Sequence, residues 1–238
     1  MILFISDLHL SLDKPEITRR FLHFLEHRAV GAEALYILGD LFDAWIGDDD
    51  PTPPNGRIKA QLKKLTDAGT QVFLQPGNRD FLLGERFCRD TGVKLLGDYQ
   101  VIDLYGVPTL LTHGDLLCTD DLPYQAFRAK SHTPEWTRSV LSKPLLLRLF
   151  AARWYRLRSF WHKRKKSQEI MDVNQQTVIR VMREHGCKRL IHGHTHRPAV
   201  HELGVDGQAA RRFVLAAWSK EAGQALCWTP QEYRIETI

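Results

Sequence analysis

The sequence predicts an α/β protein, a four-layer α/β/β/α sandwich with an inserted helical cap. Three observations predict it. Five short runs of β-branched and apolar residues (2–5, 35–38, 72–74, 110–111 and 190–191) each lead into a polar residue able to hold a metal ion. Apolar residues at helical spacing separate the first three runs, the order expected of parallel strands joined by crossover helices. The stretch 116–184 then carries no such ligand, which marks it as an insertion.

The elements follow in chain order. The first strand ends before Asp7 and His9, and Ile17, Phe21, Phe24 and Leu25 then recur at helical spacing over 16–30, with His23 and His27 expected at the surface. The second strand delivers Asp40, and the loop after it carries Asp48, Asp49 and Asp50 beside Pro51, Pro53 and Pro54, the composition of a solvated turn. A second helix over 59–68, ended by Gly69, leads into the third strand and Asn78. Runs 101–104 and 107–112 flank Tyr105-Gly106 as a hairpin feeding His113. After His194 and His196, the runs 212–218, 225–228 and 232–236 are expected to complete a second sheet. This divides the chain into a core, 1–115 with 185–238, and a helical cap, 116–184, covering the site.

At 238 residues, with 43% hydrophobic and 26% charged residues, the chain can bury a full core, and disorder is not expected. Cys88, Cys118, Cys187 and Cys227 lie far apart and form no C-x-x-C pair, which suits free thiols in a reducing compartment. The N-terminus leads directly into a strand, and nothing approaches a membrane span, so a cytoplasmic protein with at most peripheral membrane contact is expected.

The net charge of +5 is unevenly spread: from Arg138 to Lys166 there are ten basic residues and no acidic ones, leaving the rest of the chain net negative. Within that span Leu146, Phe150, Trp154, Leu157 and Trp161 form one apolar helical stripe. Arg148, Arg153, Arg156, Arg158, Lys163, Arg164, Lys165 and Lys166 occupy the other faces. Such a helix suits a membrane interface or an enclosed amphiphile, and single-stranded nucleic acid also pairs cations with aromatics.

Side chains just past the carboxyl ends of strands converge on one crevice. Asp7, His9, Asp40, Asn78, His113, His194 and His196 therefore meet at one edge. Imidazole, carboxylate and amide oxygen together suit manganese, zinc or iron, and the lack of thiolates argues against a structural zinc site. Two ions sharing Asp40 is the economical arrangement. Asp7, His9 and His196 would then serve one ion, and Asn78, His113 and His194 the other. Asp80 and Asp115 read as carboxylates that orient the ligands, while His192 and His201 are left outside the site.

The set Asp7-Leu8-His9, Gly39-Asp40, Gly77-Asn78-Arg79-Asp80, His113-Gly114-Asp115 and Gly193-His194-Thr195-His196 resembles the calcineurin-like metallophosphoesterases. Many members carry histidine after the asparagine, where it aids protonation of the leaving group; this chain has Arg79. Arginine holds phosphate oxygens but donates no proton at neutral pH, which favours a leaving group needing none, such as the phosphate of a pyrophosphate bond.

The stretches 41–50, 77–84, 117–121 and 170–174 narrow the resemblance to the UDP-2,3-diacylglucosamine hydrolase family of bacterial lipid A synthesis. That resemblance implies two Mn2+ ions, water attack on the α-phosphorus, and UMP and 2,3-diacylglucosamine 1-phosphate as products. It implies Asp40, Asn78, Arg79, His113 and His194 in catalysis, and Asn78, Arg79, Asp121, Ser159, Lys163, Lys166 and His194 as substrate contacts. It also implies a peripheral position on the cytoplasmic face of the inner membrane, at an anionic surface, with no nucleic acid and no obligate protein partner.

Overall fold

A computed structural model describes residues 1–163 and 172–238, with side chains at all of these except 155–163. The first sheet has the order β11-β10-β1-β2-β3-β4 and the second β5-β6-β7-β9-β8. In the first, β1 (Ile2–Ile5), β2 (Ala34–Leu38), β3 (Gln71–Gln75) and β4 (Lys94–Leu95) run parallel. In the second, β6 (Pro108–Thr112), β7 (Arg189–His192) and β9 (Gln208–Val214) are parallel. There β5 (Gln100–Asp103) and β8 (Ala199–Val205) close the edges antiparallel.

Alternation along the strands builds the four layers. Leu3, Ile5, Leu35, Ile37, Val72 and Leu74 pack against α1 (Pro15–His27), α2 (Asn55–Asp67) and α3 (Glu85–Thr91) through Phe21, Phe24, Leu62 and Phe87. Their neighbours Ile2, Phe4, Tyr36 and Leu38 face the other way, against Leu111, Ile191 and Phe213 of the second sheet. On that sheet's far face Leu110, Leu190 and Ala210 meet Val178, Val181 and Met182 of α7 (Gln175–Glu184). The last helix of the stretch read as an insertion is therefore the outermost layer of the sandwich.

The three C-terminal runs do not all join the second sheet. Only β9 does; β10 (Gln224–Trp228) and β11 (Tyr233–Thr237) extend the first, with β10 antiparallel to β1. The reason is that β10 is apolar on both sides: Leu226 and Trp228 fill the space between the sheets, while Ala225 and Cys227 face the helices. It fits beside the central β1 better than at a solvated edge. Edge strand β8 is paired to β9 through Asp206 and Gly207, both at positive φ of 51° and 73°, a signal for a tight hairpin that the sequence carries openly as Asp-Gly.

Between β6 and α7 the chain forms α4 (Leu122–Ser131), α5 (Pro134–Leu141) and α6 (Leu145–Lys163). Asp121 and Thr133 cap the first two, accepting from the backbone N–H of Tyr124 and Trp136. Over 145–154, where its side chains are described, helix α6 is inside out: Leu146, Leu147, Phe150 and Trp154 are 79%, 59%, 72% and 56% exposed, whereas Arg148 is buried. The expected cationic face thus loses Arg148 to the interior. The side chains of Leu157 and Trp161, which completed the predicted stripe, lie outside the described residues. No described helix is long and apolar enough to cross a membrane.

Met182→Ala, at a fully buried position of the outer layer, is expected to cost about 2–5 kcal/mol. Phe150→Ala, on the exposed face of α6, should stay within about 0.5 kcal/mol. Urea denaturation of both variants checks the contrast, and a large loss for Phe150→Ala would put that face inside.

Candidate metal centre

The seven ligand candidates come from turns at the carboxyl ends of β1, β2, β3, β6 and β7. Five of them, Asp7, His9, Asp40, His194 and His196, hold φ between 50° and 69°, a region that side-chain-bearing residues rarely enter. Backbone bonds between neighbouring turns hold them there. The Asp7 N–H donates to Gly39 O (3.1 Å), His9 N–H to Asp40 O (2.9 Å), Gly193 N–H to His113 O (2.9 Å), and Trp218 N–H to Asp7 O (3.1 Å). Two glycines clear the centre: a Cβ at Gly77 would lie 2.3 Å from Asp40 Oδ1, and one at Gly193 2.3 Å from Asp7 Oδ2.

Asp7, Asp40 and His113 form a buried floor. His9 and His196 bring their Nε2 atoms within 3.3 Å of each other, and His196 Nε2 lies 3.3 Å from Asp7 Oδ1. On the other side His113 Nε2 is 3.2 Å from Asn78 Oδ1 and 3.1 Å from His194 Nδ1. Asp40 sits between the two groups, Oδ2 3.7 Å from His9 Nδ1 and Oδ1 3.8 Å from His113 Nε2. His113 Nδ1 faces Leu38 O at 2.9 Å, which assigns it the proton and leaves Nε2 as the donor atom. Asp7 with His9 and His196, and Asp7 with Asp40 and His113, each place one ligand atom per residue within 4.8 Å of the others.

These residues fit a divalent cation. Asp7 Oδ1 and His9 Nδ1 are buried and make no hydrogen bond, a costly condition unless a ligand supplies the missing partner. The electrostatics agree. Burial pushes Asp40 up to about 8, with Asp80 and Asp7 adding to the effect against the pull of His113. Burial also works against a charged His113, but Asp40, Asp7 and Asp115 outweigh it and raise the imidazole to about 9. Burial would raise Asp7 too; His196 beside it, with the charges of His113 and His9, instead holds it well below the usual carboxylate range. His9, chiefly through burial, is held well below the ordinary imidazole value.

Arg79 stands at the rim. Its N–H donates to Asp40 Oδ1 (2.8 Å), and its guanidinium reaches Asp43 Oδ1 (3.4 Å) and Asp40 Oδ2 (3.9 Å) with the side chain 26% exposed. Asp80 accepts from the N–H groups of Gly77 (2.7 Å) and Phe42 (3.2 Å), tying the Asn78 turn to the Asp40 loop. Asp115 orients no ligand by direct contact; its carboxylate takes the Tyr124 hydroxyl and Arg128 Nε (2.6 Å), anchoring α4 instead. His192 is buried against Arg212 (3.2 Å) and lowered to about 3 by burial and that cation, outside the cluster.

The acidic triplet is a solvated turn only in part, with Asp49 exposed, Asp48 half-buried and Asp50 buried. Asp48 accepts from Gly84 and Phe87 at the start of α3, Asp49 pairs with Arg148, and Asp50 accepts from Thr52 and Asn55. Asp121 is half-buried as the α4 cap. Ser159 and Lys163 as side chains, and Lys166 entirely, lie outside the described residues. Sequence reasoning missed Asp43 and Tyr124, whose ring centroid is 6.3 Å from that of His194; Tyr124 lies three residues beyond the Asp121 cap, and no ligand-type pattern marks it.

The sequence matches the calcineurin-like phosphoesterase family over residues 1–198. A UDP-2,3-diacylglucosamine hydrolase of Klebsiella pneumoniae subsp. pneumoniae is 52% identical over 233 residues, covering 98% of this chain and 97% of its own. Proteins of the same name from Serratia proteamaculans and Marinobacter nauticus are 54% and 50% identical, each covering 92% of this chain and 91% and 89% of their own. Among solved structures, an archaeal phosphodiesterase aligns over the whole chain at 13% identity with a TM-score of 0.48, too distant to carry a functional comparison.

The raised His113 fixes a pH dependence for the metal-free protein. Its stabilising ion pairs are fully present below about 6.5, where the unfolded imidazole is also protonated, and are lost as pH rises through about 9. The Tm of chelator-treated protein should therefore fall across that window. His113→Asn should flatten the fall; an unchanged slope in that variant would remove His113 as its source.

Proposed function

The chain belongs to the calcineurin-like phosphoesterases and, among them, to the UDP-2,3-diacylglucosamine hydrolases, and from that membership we propose that it hydrolyses the pyrophosphate bond of UDP-2,3-diacylglucosamine in lipid A synthesis. Water attacks the α-phosphorus, and UMP and 2,3-diacylglucosamine 1-phosphate leave. The observation that carries this reading is Arg79: a cation with open donors at the rim of a cation-binding cluster, where a proton donor would otherwise stand.

Two manganese ions are the proposed cofactors, supported by two groups of oxygen and imidazole donors that share buried Asp7, with Asp40 3.7 Å from His9 and 3.8 Å from His113, and that include no thiolate. Divalent ions there would supply charge neutralisation at the phosphoryl group and a water of lowered pKa. Asp7, His9 and His196 would hold one ion, Asn78, His113 and His194 the other, and Asp40 both.

The protein's own groups do the rest. Arg79 pairs with phosphate oxygens through its half-buried guanidinium at the rim, while its N–H and that of His194, bonded to Asp40 and Asp7, keep the carboxylates aimed inward. The leaving phosphate is anionic and needs no proton, so the absence of an acid at position 79 carries no penalty. Asp121, Ser159, Lys163 and Lys166 are proposed to contact the sugar and diphosphate with Asn78, Arg79 and His194.

The acyl chains and an anionic membrane surface are assigned to α6. Support comes from its exposed Leu146, Leu147, Phe150 and Trp154 and from the acid-free basic span around them. The protein then works from the cytoplasmic face of the inner membrane, and neither nucleic acid nor an obligate protein partner enters the reading.

Hydrolysis in oxygen-18 water with added manganese should place the label in UMP. Label in the lipid phosphate would move the attack to the other phosphorus, and turnover of DNA with none of the UDP lipid would overturn the substrate. Arg79→Ala is expected to retain metal, measured by elemental analysis, and to lose about 10²–10³-fold in kcat. Loss of metal in that variant would make Arg79 a support of the cluster instead.

A further inference from the structure

Arg148 breaks the pattern of its helix. It lies among exposed apolar residues in the first turn of α6, yet it is only 7% exposed and points inward. Its Nη1 donates to Ile46 O (2.6 Å) and Asp49 Oδ1 (2.8 Å), its Nη2 to Asp49 Oδ2, and its Nε to Lys143 O (3.0 Å). This is a two-pronged guanidinium–carboxylate pair, with the backbone completing the donor set. Gly47 leaves the room: a Cβ there would lie 2.2 Å from Arg148 Nη1 and 3.0 Å from Leu141 Cδ2.

The loop that Arg148 grips belongs to the reaction centre. It begins at Asp40 and Asp43, and its Trp45 N–H donates to Arg79 O (3.0 Å). Trp45 Nε1 donates to Asp48 (3.0 Å), which in turn accepts from the N–H groups of Gly84 and Phe87 and fixes the loop on α3. One short chain of contacts therefore runs from the root of α6 through Asp49 and Trp45 to the backbone of Arg79. Asp49 is pulled below its ordinary range by Arg148, which keeps the pair charged across the working pH.

We propose that the Arg148–Asp49 clasp is a positioning device that sets substrate specificity, holding the apolar face of α6 in register with the phosphate-binding Arg79. The inference rests on the reading that the substrate carries acyl chains on a diphosphate. Arg148 does not touch the reacting atoms. The clasp ties the place where chains are received to the place where the bond is cut, so its loss should tell only on a substrate long enough to reach both.

The test compares Arg148→Met, which keeps the bulk and removes the fork, with wild type on two substrates: UDP-2,3-diacylglucosamine and the short ester bis(p-nitrophenyl) phosphate, both with manganese. Expected is a loss in kcat/KM of about 10²-fold on the lipid substrate, with the short ester turned over as by wild type. Asp49→Asn, which keeps the shape of the carboxylate and removes its charge, should reproduce that selectivity in lesser degree. Equal losses on both substrates would show the clasp to be mere support of the fold and overturn the proposal. Unchanged lipid turnover in Arg148→Met would do the same. A wild-type protein that cleaves the short ester but not the UDP lipid would overturn the substrate reading and this inference with it.

Discussion

Three carboxylates, Asp7, Asp40 and Asp80, are buried within one junction between the two sheets, and the rest of the centre answers to their mutual repulsion. Asp80 is stabilised by backbone N–H groups, and Asp7 by imidazoles and the His194 N–H. Asp40 receives one N–H and distant imidazoles and is pushed up to about 8, and burial raises Asp80 too despite its N–H donors. A junction with too little positive charge of its own is a site that gains stability from binding a cation, by an amount growing with ligand concentration over its dissociation constant. Arg79 contributes from the rim, where its charge can serve both the carboxylates and an arriving phosphate.

That the seven candidate residues converge was legible because topology makes it so. Residues just past parallel strands tend to face the crevice at that edge, so the runs ending at 5, 38, 74, 111 and 191 locate Asp7, Asp40, Asn78, His113 and His194 without long-range knowledge. Asp80 and Asp115 look alike in sequence, each two residues from a ligand, yet one braces the Asn78 turn and the other holds Arg128 and Tyr124 of α4. Which neighbour a carboxylate finds depends on the packing of α4, and that leaves no local trace.

The same limit explains the strands. A run apolar on both faces, such as β10, reads identically in either sheet, and its place is decided by which sheet still lacks a buried neighbour for β1. Helix α6 was legible as amphipathic, but spacing cannot say which face turns outward. Helix packing normally turns the apolar side in; here Arg148 turns in to meet the carbonyl of Ile46 and the carboxylate of Asp49, itself half-exposed, and Leu146, Leu147 and Phe150 face outward. The triplet 48–50 misled for a related reason, since three adjacent acids can serve three unrelated partners.

The left-handed backbone at Asp7, His9, Asp40, His194 and His196 carries a consequence for inheritance. Among non-glycine residues, aspartate, asparagine and histidine tolerate that conformation best, and the same three supply the carboxylate, amide and imidazole donors of such a centre. Their codons differ only in the first base. A single nucleotide change at any of these five positions can thus exchange one donor for another while the backbone stays unstrained, whereas a change to valine or threonine meets a steric barrier first. Variation in a centre of this kind is channelled toward altered metal preference and away from loss of the turn.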